Sequence, residues 1–105
     1  MSDPAAPNLR AGPTLETVWF VEATYAPDAA ETRKPFRAQH LARVAALKAA
    51  GTYVEAGAFL DVSSSITLVR AETEAAALEI IRGDIYMANG IWVELRARPF
   101  GRVVG

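Results

Sequence analysis

The 105-residue chain contains no cysteine, and His40 is its single histidine. The absence of cysteine excludes disulfide bonds, thiol catalysis and thiolate metal sites, and it is compatible with a reducing, cytoplasmic environment. One histidine without any cysteine is a poor basis for a zinc site. The sequence therefore predicts a protein without a metal.

Strong charge and long apolar runs are absent too. The formal net charge is −1, so no broad basic surface for nucleic acid is expected. No apolar run approaches the roughly 20 residues that span a membrane. The glycines are too scattered for a phosphate loop, and no GxSxG elbow is present. We therefore expect no cofactor, no nucleic acid and no membrane partner.

About half of the residues are hydrophobic, and this length fits one domain with one core. Residues 1–14, rich in proline, alanine and small polar residues, are interpreted as a flexible N-terminal tail and not as a signal peptide. Residues 15–105 are then one domain, and a cytoplasmic location is expected.

The pattern along this domain predicts six elements in the order β-α-β-β-α-β. Strands are expected at 17–25, 52–59, 66–71 and 91–100. The first helix runs from Thr32 or Pro35 to Ala50, with Gly51 as its cap. The second follows the N-cap Thr73 and ends near Arg82. This order indicates an α+β, ferredoxin-like fold with a four-stranded antiparallel sheet.

The strands carry apolar side chains on both faces, as in Trp19 and Val21 against Val18 and Phe20, or Trp92 against its two neighbours. Two helices cover only one face of the sheet. We therefore expect the second face to pack against another copy of the chain in a homodimer.

His40 lies on the apolar stripe of the first helix, between Phe36 and Val44 on the helical wheel, with Arg33 and Arg37 on the same side. It is either a packed histidine with one hydrogen-bond partner or a general acid–base group. The second interpretation requires a nearby carboxylate that fixes the tautomer of the imidazole.

Three carboxylates could be that partner. Asp61 begins the turn between the central strands, which is ordinary turn chemistry. Asp84 follows the second helix, where an acid is unfavourable beside the helix dipole and so needs another reason. Glu22 lies in the first strand and could face a pocket or solvent. The spacing of these residues alone does not choose among them.

Several segments together resemble the YCII-related family of small bacterial proteins. They are RAQHLARVAALKAAG at 37–51, EAGAFLD at 55–61, GDIYMANG at 83–90 and RPFGRV at 98–103. The resemblance covers about residues 17–104. It implies a dimeric α+β barrel, in which two ferredoxin-like sheets face each other.

The resemblance also implies site residues. Family members are thought to use a histidine, which follows an arginine, and the aspartate of a D-P-[FY] motif as a proton-transfer pair. These positions map to His40, Arg37 and Asp84. Here the motif reads Asp-Ile-Tyr, which keeps Tyr86 but loses the proline, so Asp61 is the alternative partner. One relative removes chloride from a chlorinated hydroxyquinol.

The sequence thus leads to a small cofactor-independent enzyme that acts on a small organic molecule, for example an aromatic one, by isomerisation or elimination. His40 and Asp84 would be catalytic, and Arg37, Asp61 and Tyr86 would bind the substrate. The alternatives are a dimeric ligand-binding or accessory protein without turnover and a purely structural dimerisation module.

Overall fold

The computed structural model describes residues 13–105, and residues 1–12 lie outside the described part. The tail expected at 1–14 therefore falls almost entirely outside it. Its last residue, Thr14, is instead the first residue of a strand. The first strand thus begins three residues before Thr17, where the pattern of β-branched residues places its start.

Strands and helices follow one another along the described part of the chain in a mixed order. The strands are β1 (Thr14–Tyr25), β2 (Tyr53–Ala58), β3 (Ser64–Val69) and β4 (Trp92–Val104). The helices are α1 (Ala29–Thr32), α2 (Arg37–Ala49), α3 (Glu74–Arg82) and α4 (Ile85–Ala88), with a 3₁₀ turn at Lys34–Phe36. The predicted order of strands and long helices is confirmed, and α1 and α4 are single additional turns.

The four strands form one antiparallel sheet in the order β2-β3-β1-β4. Its two central strands, β1 and β3, are joined by a connection that contains α2 and β2. This is the ferredoxin-like topology predicted from the sequence. Helices α2 and α3 lie on the same face, where the apolar core contains Val21, Ala23, Val69, Ala77 and Ile81.

The first long helix begins later than predicted. Residues 34–36 form a 3₁₀ turn, and the α-helical ladder starts only at Arg37. Pro35 has no N–H to donate and its ring restricts the preceding backbone, so a tighter turn precedes the regular helix. The N-cap prediction for α3 is confirmed, because the side chain of Thr73 accepts a hydrogen bond from the Ala76 N–H at 3.1 Å.

The two tryptophans of the strands lie on one face of the sheet. Trp19 and Trp92 both contact the core on the helix side. For Trp92 the reason is an irregularity at the start of β4, where Trp92 pairs with Tyr25 but Glu94 pairs with Thr24. The extra residue, Val93, interrupts the simple alternation of faces.

The face opposite the helices has no covering element among residues 13–105. The register places four large apolar side chains on it: Phe20, Ile66, Leu68 and Phe100. All four are partly or largely exposed. The β1–β4 pairing also continues to Thr14 and Val104. None of the helices within residues 13–105 has the length and apolar character needed to cross a membrane.

Candidate functional site

A cavity of about 240 Å³ opens between α2 and the β2–β3 half of the sheet. His40 and Leu41 line it from the helix, and Thr67 and Ser65 line it from β3. The turn between β2 and β3 contributes Phe59, Leu60 and Val62, so that loop borders the opening. The cavity is close to the lower limit of roughly 300 Å³ for sites that hold drug-sized ligands. A single-ring molecule is the size that it fits.

His40 and Asp84 meet beside this cavity. Nδ1 of His40 lies 2.8 Å from Oδ2 and 3.0 Å from Oδ1 of Asp84. The His40 side chain is 12% exposed and that of Asp84 is fully buried. A carboxylate only accepts hydrogen bonds, so Nδ1 carries the proton in this pair. Nε2 is then the ring nitrogen that can give or take a proton.

Local backbone structure fixes the position of Asp84. The residue is the N-cap of α4, with extended backbone angles, and its Oδ1 accepts a hydrogen bond from the Tyr86 N–H at 2.9 Å. Aspartate is a favoured N-cap because its carboxylate satisfies an otherwise unpaired N–H of the first turn. One carboxyl group therefore both starts a helix and orients the imidazole.

Arg43 also lies close to the Asp84 carboxylate. The interpretation of the sequence did not include this arginine. Its Nη1 lies 3.8 Å from Asp84 Oδ2 and donates to the Tyr53 hydroxyl at 3.2 Å, while Nη2 donates to the Ile80 carbonyl at 2.8 Å. The available signal was its position three residues after His40, which places both on one side of a helix.

Aromatic rings hold the imidazole plane. The His40 ring stacks on Tyr86 with centroids 3.9 Å apart and an interplanar angle of 11°. Trp92 is perpendicular to both rings, with centroids 5.3 Å from His40 and 5.4 Å from Tyr86. Perpendicular aromatic pairs at such distances are favourable. The stacked and perpendicular contacts therefore favour this orientation of the imidazole beside Asp84.

Two tyrosines at the site have altered acidity. Burial raises the pKa of the Tyr86 phenol; Tyr25 and Asp84 add to that effect, and Arg33 and Arg37 oppose it. Burial likewise raises the pKa of Tyr53, against the opposing effect of Arg43. Both phenols are therefore protonated at neutral pH and can donate a hydrogen bond.

The other candidate residues separate into two groups. Arg37 and Tyr86, expected to bind substrate, both line the cavity. Asp61 is not part of the lining, because its exposed carboxylate accepts hydrogen bonds from the Ser63 hydroxyl at 2.6 Å and the Ser63 N–H at 3.0 Å. These bonds also lower the pKa of Asp61. It acts in the turn, and the structure does not bring it to His40.

Glu22 is also remote from His40, since the register of β1 directs it to the face opposite the helices. Within residues 13–105 there is no group of three or more His, Asp or Glu side chains that could hold a metal ion. The arrangement places an imidazole nitrogen that can give or take a proton beside the cavity.

Comparison with known proteins places these observations in a family. The model of the YCII-related domain matches residues 17–101, which confirms the resemblance found in the sequence. No curated protein matches the chain. Among solved structures, the chain is similar to 5-chloro-2-hydroxyhydroquinone dehydrochlorinase from Burkholderia phenoliruptrix in complex with 2,5-dihydroxybenzoquinone. The TM-score is 0.69 at 18% identity, over 79% of this chain and 92% of that chain.

Proposed function

The chain belongs to the YCII-related family, and on that premise we propose that it is a small enzyme that moves protons on a small organic molecule without a cofactor. His40 is the general acid–base group in this proposal, and Asp84 orients it. The observation that carries the proposal is the 2.8 Å contact between a buried carboxylate and an imidazole that borders a cavity.

The mechanism follows from the two ring nitrogens. Asp84 holds the proton on Nδ1, so Nε2 has a free electron pair and can remove a proton from a carbon or hydroxyl of the substrate. The imidazolium that forms is stabilised by the Asp84 carboxylate. It can return the proton at another atom, which gives isomerisation. Alternatively, the electron pair released by the broken C–H bond can expel a leaving group such as chloride, which gives elimination.

Two further residues have proposed roles in binding. Arg37 lines the cavity one helical turn before His40 and would hold an anionic oxygen of the substrate. Tyr86, whose ring stacks on the imidazole, supplies a protonated phenol. Elimination is the reaction named for the dehydrochlorinase that shares this fold. It needs only the acid–base pair and a suitable leaving group.

We also propose that the working unit is a homodimer. Phe20, Ile66, Leu68 and Phe100 occupy the sheet face opposite the helices, and burying such a face against a second copy removes it from water. Light scattering at micromolar concentration should give twice the mass of the chain, and Leu68→Glu should shift the species toward monomer. A wild-type protein that scatters as a monomer would refute the dimer.

The experiment that tests the enzyme proposal is hydrogen–deuterium exchange on ring carbons. Purified protein is incubated in D₂O with 2,5-dihydroxybenzoquinone or 5-chloro-2-hydroxyhydroquinone, and loss of the C–H signals is followed by NMR. We expect the wild type to accelerate exchange, or chloride release from the second compound. His40→Ala should reduce the rate by about 10²–10⁴-fold, as is typical for loss of a general acid–base group.

Gln39→Ala is the matched control, because Gln39 precedes His40 but is exposed and is not part of the cavity lining. It should leave the rate unchanged. Compounds that bind without faster exchange or chloride release would instead identify a ligand-binding protein without turnover.

A further inference from the structure

We propose that the cavity selects a single-ring organic anion, and that Arg33 and Arg37 hold its negative charge together. This inference rests on the proposed function for the reaction that follows, but its claim about binding stands on the charges and geometry of the cavity. Arg33 thereby acquires a role in recognition that its position before the helix does not suggest.

The lining of the cavity has charge of one sign. Arg33 and Arg37 belong to it, and none of the lining residues is aspartate or glutamate. Within residues 13–105, neither arginine forms an ion pair. Their neighbour Lys34 does, since its Nζ lies 2.9 Å from Glu31. Two guanidinium groups at a cavity are therefore available to an incoming anion.

The place of Arg37 in the fold is electrostatically unfavourable without a ligand. It is the first residue of α2, a 13-residue helix with no acidic residue in its first turn, and Arg33 lies just before the 3₁₀ turn that leads into this helix. The helix dipole is positive at that end, so cations there are destabilising and anions are stabilising. Residues that are unfavourable at their position in the local backbone structure are typical of functional sites.

The arginines are also placed near the group that would react. The guanidinium carbon of Arg33 is 5.9 Å from the ring centroid of Tyr25, and Tyr25 is itself part of the lining. Arg33 and Arg37 both act electrostatically on the Tyr86 phenol, whose ring stacks on His40. An anionic substituent between the arginines would thus place the attached ring beside the imidazole.

The remaining walls suit a flat ring with polar substituents. Tyr25, Tyr86 and Trp92 provide aromatic surface, and a cavity of about 240 Å³ leaves room for one ring. Two lining residues also contain buried polar atoms without a hydrogen-bond partner, the Ser65 hydroxyl and the Trp92 indole nitrogen. Buried polar groups are normally paired, so oxygens on a bound ring would become their partners after a small adjustment of these side chains.

The test compares two ligands with the same ring. 2,5-Dihydroxybenzoquinone is acidic and is negatively charged at neutral pH, whereas 2,5-dimethoxybenzoquinone is neutral. In calorimetric titrations of the full-length wild type, we expect the anion to bind at least about tenfold more tightly, the effect of one charge-assisted hydrogen bond. Higher salt should reduce that preference, because the arginines are partly exposed.

Single substitutions test whether Arg33 and Arg37 cause the preference for the anionic ligand. Arg33→Gln and Arg37→Gln should each weaken binding of the anion by about tenfold and leave the neutral ligand unaffected. Lys34→Gln is the matched control, since it removes a neighbouring cation outside the lining, and it should change binding by less than about twofold. Circular dichroism of each variant verifies folding.

Equal binding of the two ligands, no binding of the anion at millimolar concentration, or an equal loss in Lys34→Gln would overturn the inference. The proposed function fails separately. Arginine-dependent binding of the anion without accelerated deuterium exchange would leave this inference standing and remove the reaction. Accelerated deuterium exchange without any preference for the anion would support the reaction and remove this inference about binding.

Discussion

A methyl group added at Gly83 should reveal how tightly Arg43 is held behind Asp84. Gly83 has φ −72° and ψ −4°, a right-handed helical conformation that any residue can adopt. Its glycine is therefore required by space and not by backbone geometry. A Cβ built at this position would lie 2.7 Å from Nη2 of Arg43 and 3.5 Å from its Cζ. Gly83→Ala must displace the guanidinium.

The expected change in the free energy of unfolding follows from the hydrogen bond that the displaced Arg43 guanidinium loses. Nη2 donates to the Ile80 carbonyl at 2.8 Å, and hydrogen bonds to charged groups contribute about 1.5–3 kcal/mol. Gly→Ala at a compatible position stabilises by about 0.4–1 kcal/mol, because it restricts the unfolded chain. Because the Arg43 side chain is 28% exposed and water replaces part of the lost bond, we expect a net destabilisation of about 1–2 kcal/mol.

A double-mutant cycle tests whether Arg43 causes the effect of Gly83→Ala. In an Arg43→Leu background the side chain is too short to reach position 83, so the same Gly83→Ala change should stabilise by about 0.4–1 kcal/mol. The sign of the effect therefore reverses between the two backgrounds. Urea unfolding followed by tryptophan fluorescence measures all four proteins, at one fixed concentration because association would add to stability.

A neutral or stabilising effect of Gly83→Ala in the wild-type background would refute this reasoning. It would mean that Arg43 moves aside without loss and that its contacts do not hold Asp84 in place. An equal destabilisation in both backgrounds would mean that alanine is poorly tolerated for another reason.

Two further predictions concern protons. His40 is the chain's single histidine, so its ¹⁵N resonances are unambiguous; at alkaline pH the wild type should show the Nδ1–H tautomer, and Asp84→Ala should shift the population toward Nε2–H. An unchanged tautomer would contradict the role of the carboxylate. The Glu16 pKa is lowered mainly by its hydrogen bond from Arg70, so Glu16 stabilises the fold above its ordinary pKa, and that contribution disappears as pH falls through the lowered folded-state pKa. The difference in melting temperature between wild type and Glu16→Gln should thus be larger at pH 7 than at pH 3. Equal differences at the two pH values would contradict this stabilising role of Glu16.

Much of the fold could be predicted because it depends on local patterns. The alternation of apolar residues in β1 and the N-cap at Thr73 are properties of neighbouring residues, and both appear in the structure. The start of α2 was misplaced because Pro35 fits either a helix or a 3₁₀ turn. The bulge at Val93 was not predicted, because it depends on pairing with β1, which no local pattern records.

The site was predictable only in part, for a similar reason. The helical wheel places His40 on the inward side by arithmetic alone. Asp84 lies 44 residues away in sequence, and only the family resemblance connected the two. Arg43 and the role of Gly83 were missed because their relation is a clearance between the Arg43 guanidinium and the backbone of the residue that caps α3. Such a relation exists only after the chain has folded.

The His40–Asp84 pair forms in this chain although Ile85 stands where the family motif has proline. A proline at the first helical position is favourable because it needs no N–H partner and has the right φ, but other residues adopt the same angle. Asp84 supplies the other requirement itself, since its Oδ1 binds the Tyr86 N–H at 2.9 Å and fixes the start of α4. The same bond orients Oδ2 toward His40 Nδ1. The geometry of the pair therefore depends on the aspartate as a helix cap, and it forms here with Ile85 as the first residue of α4.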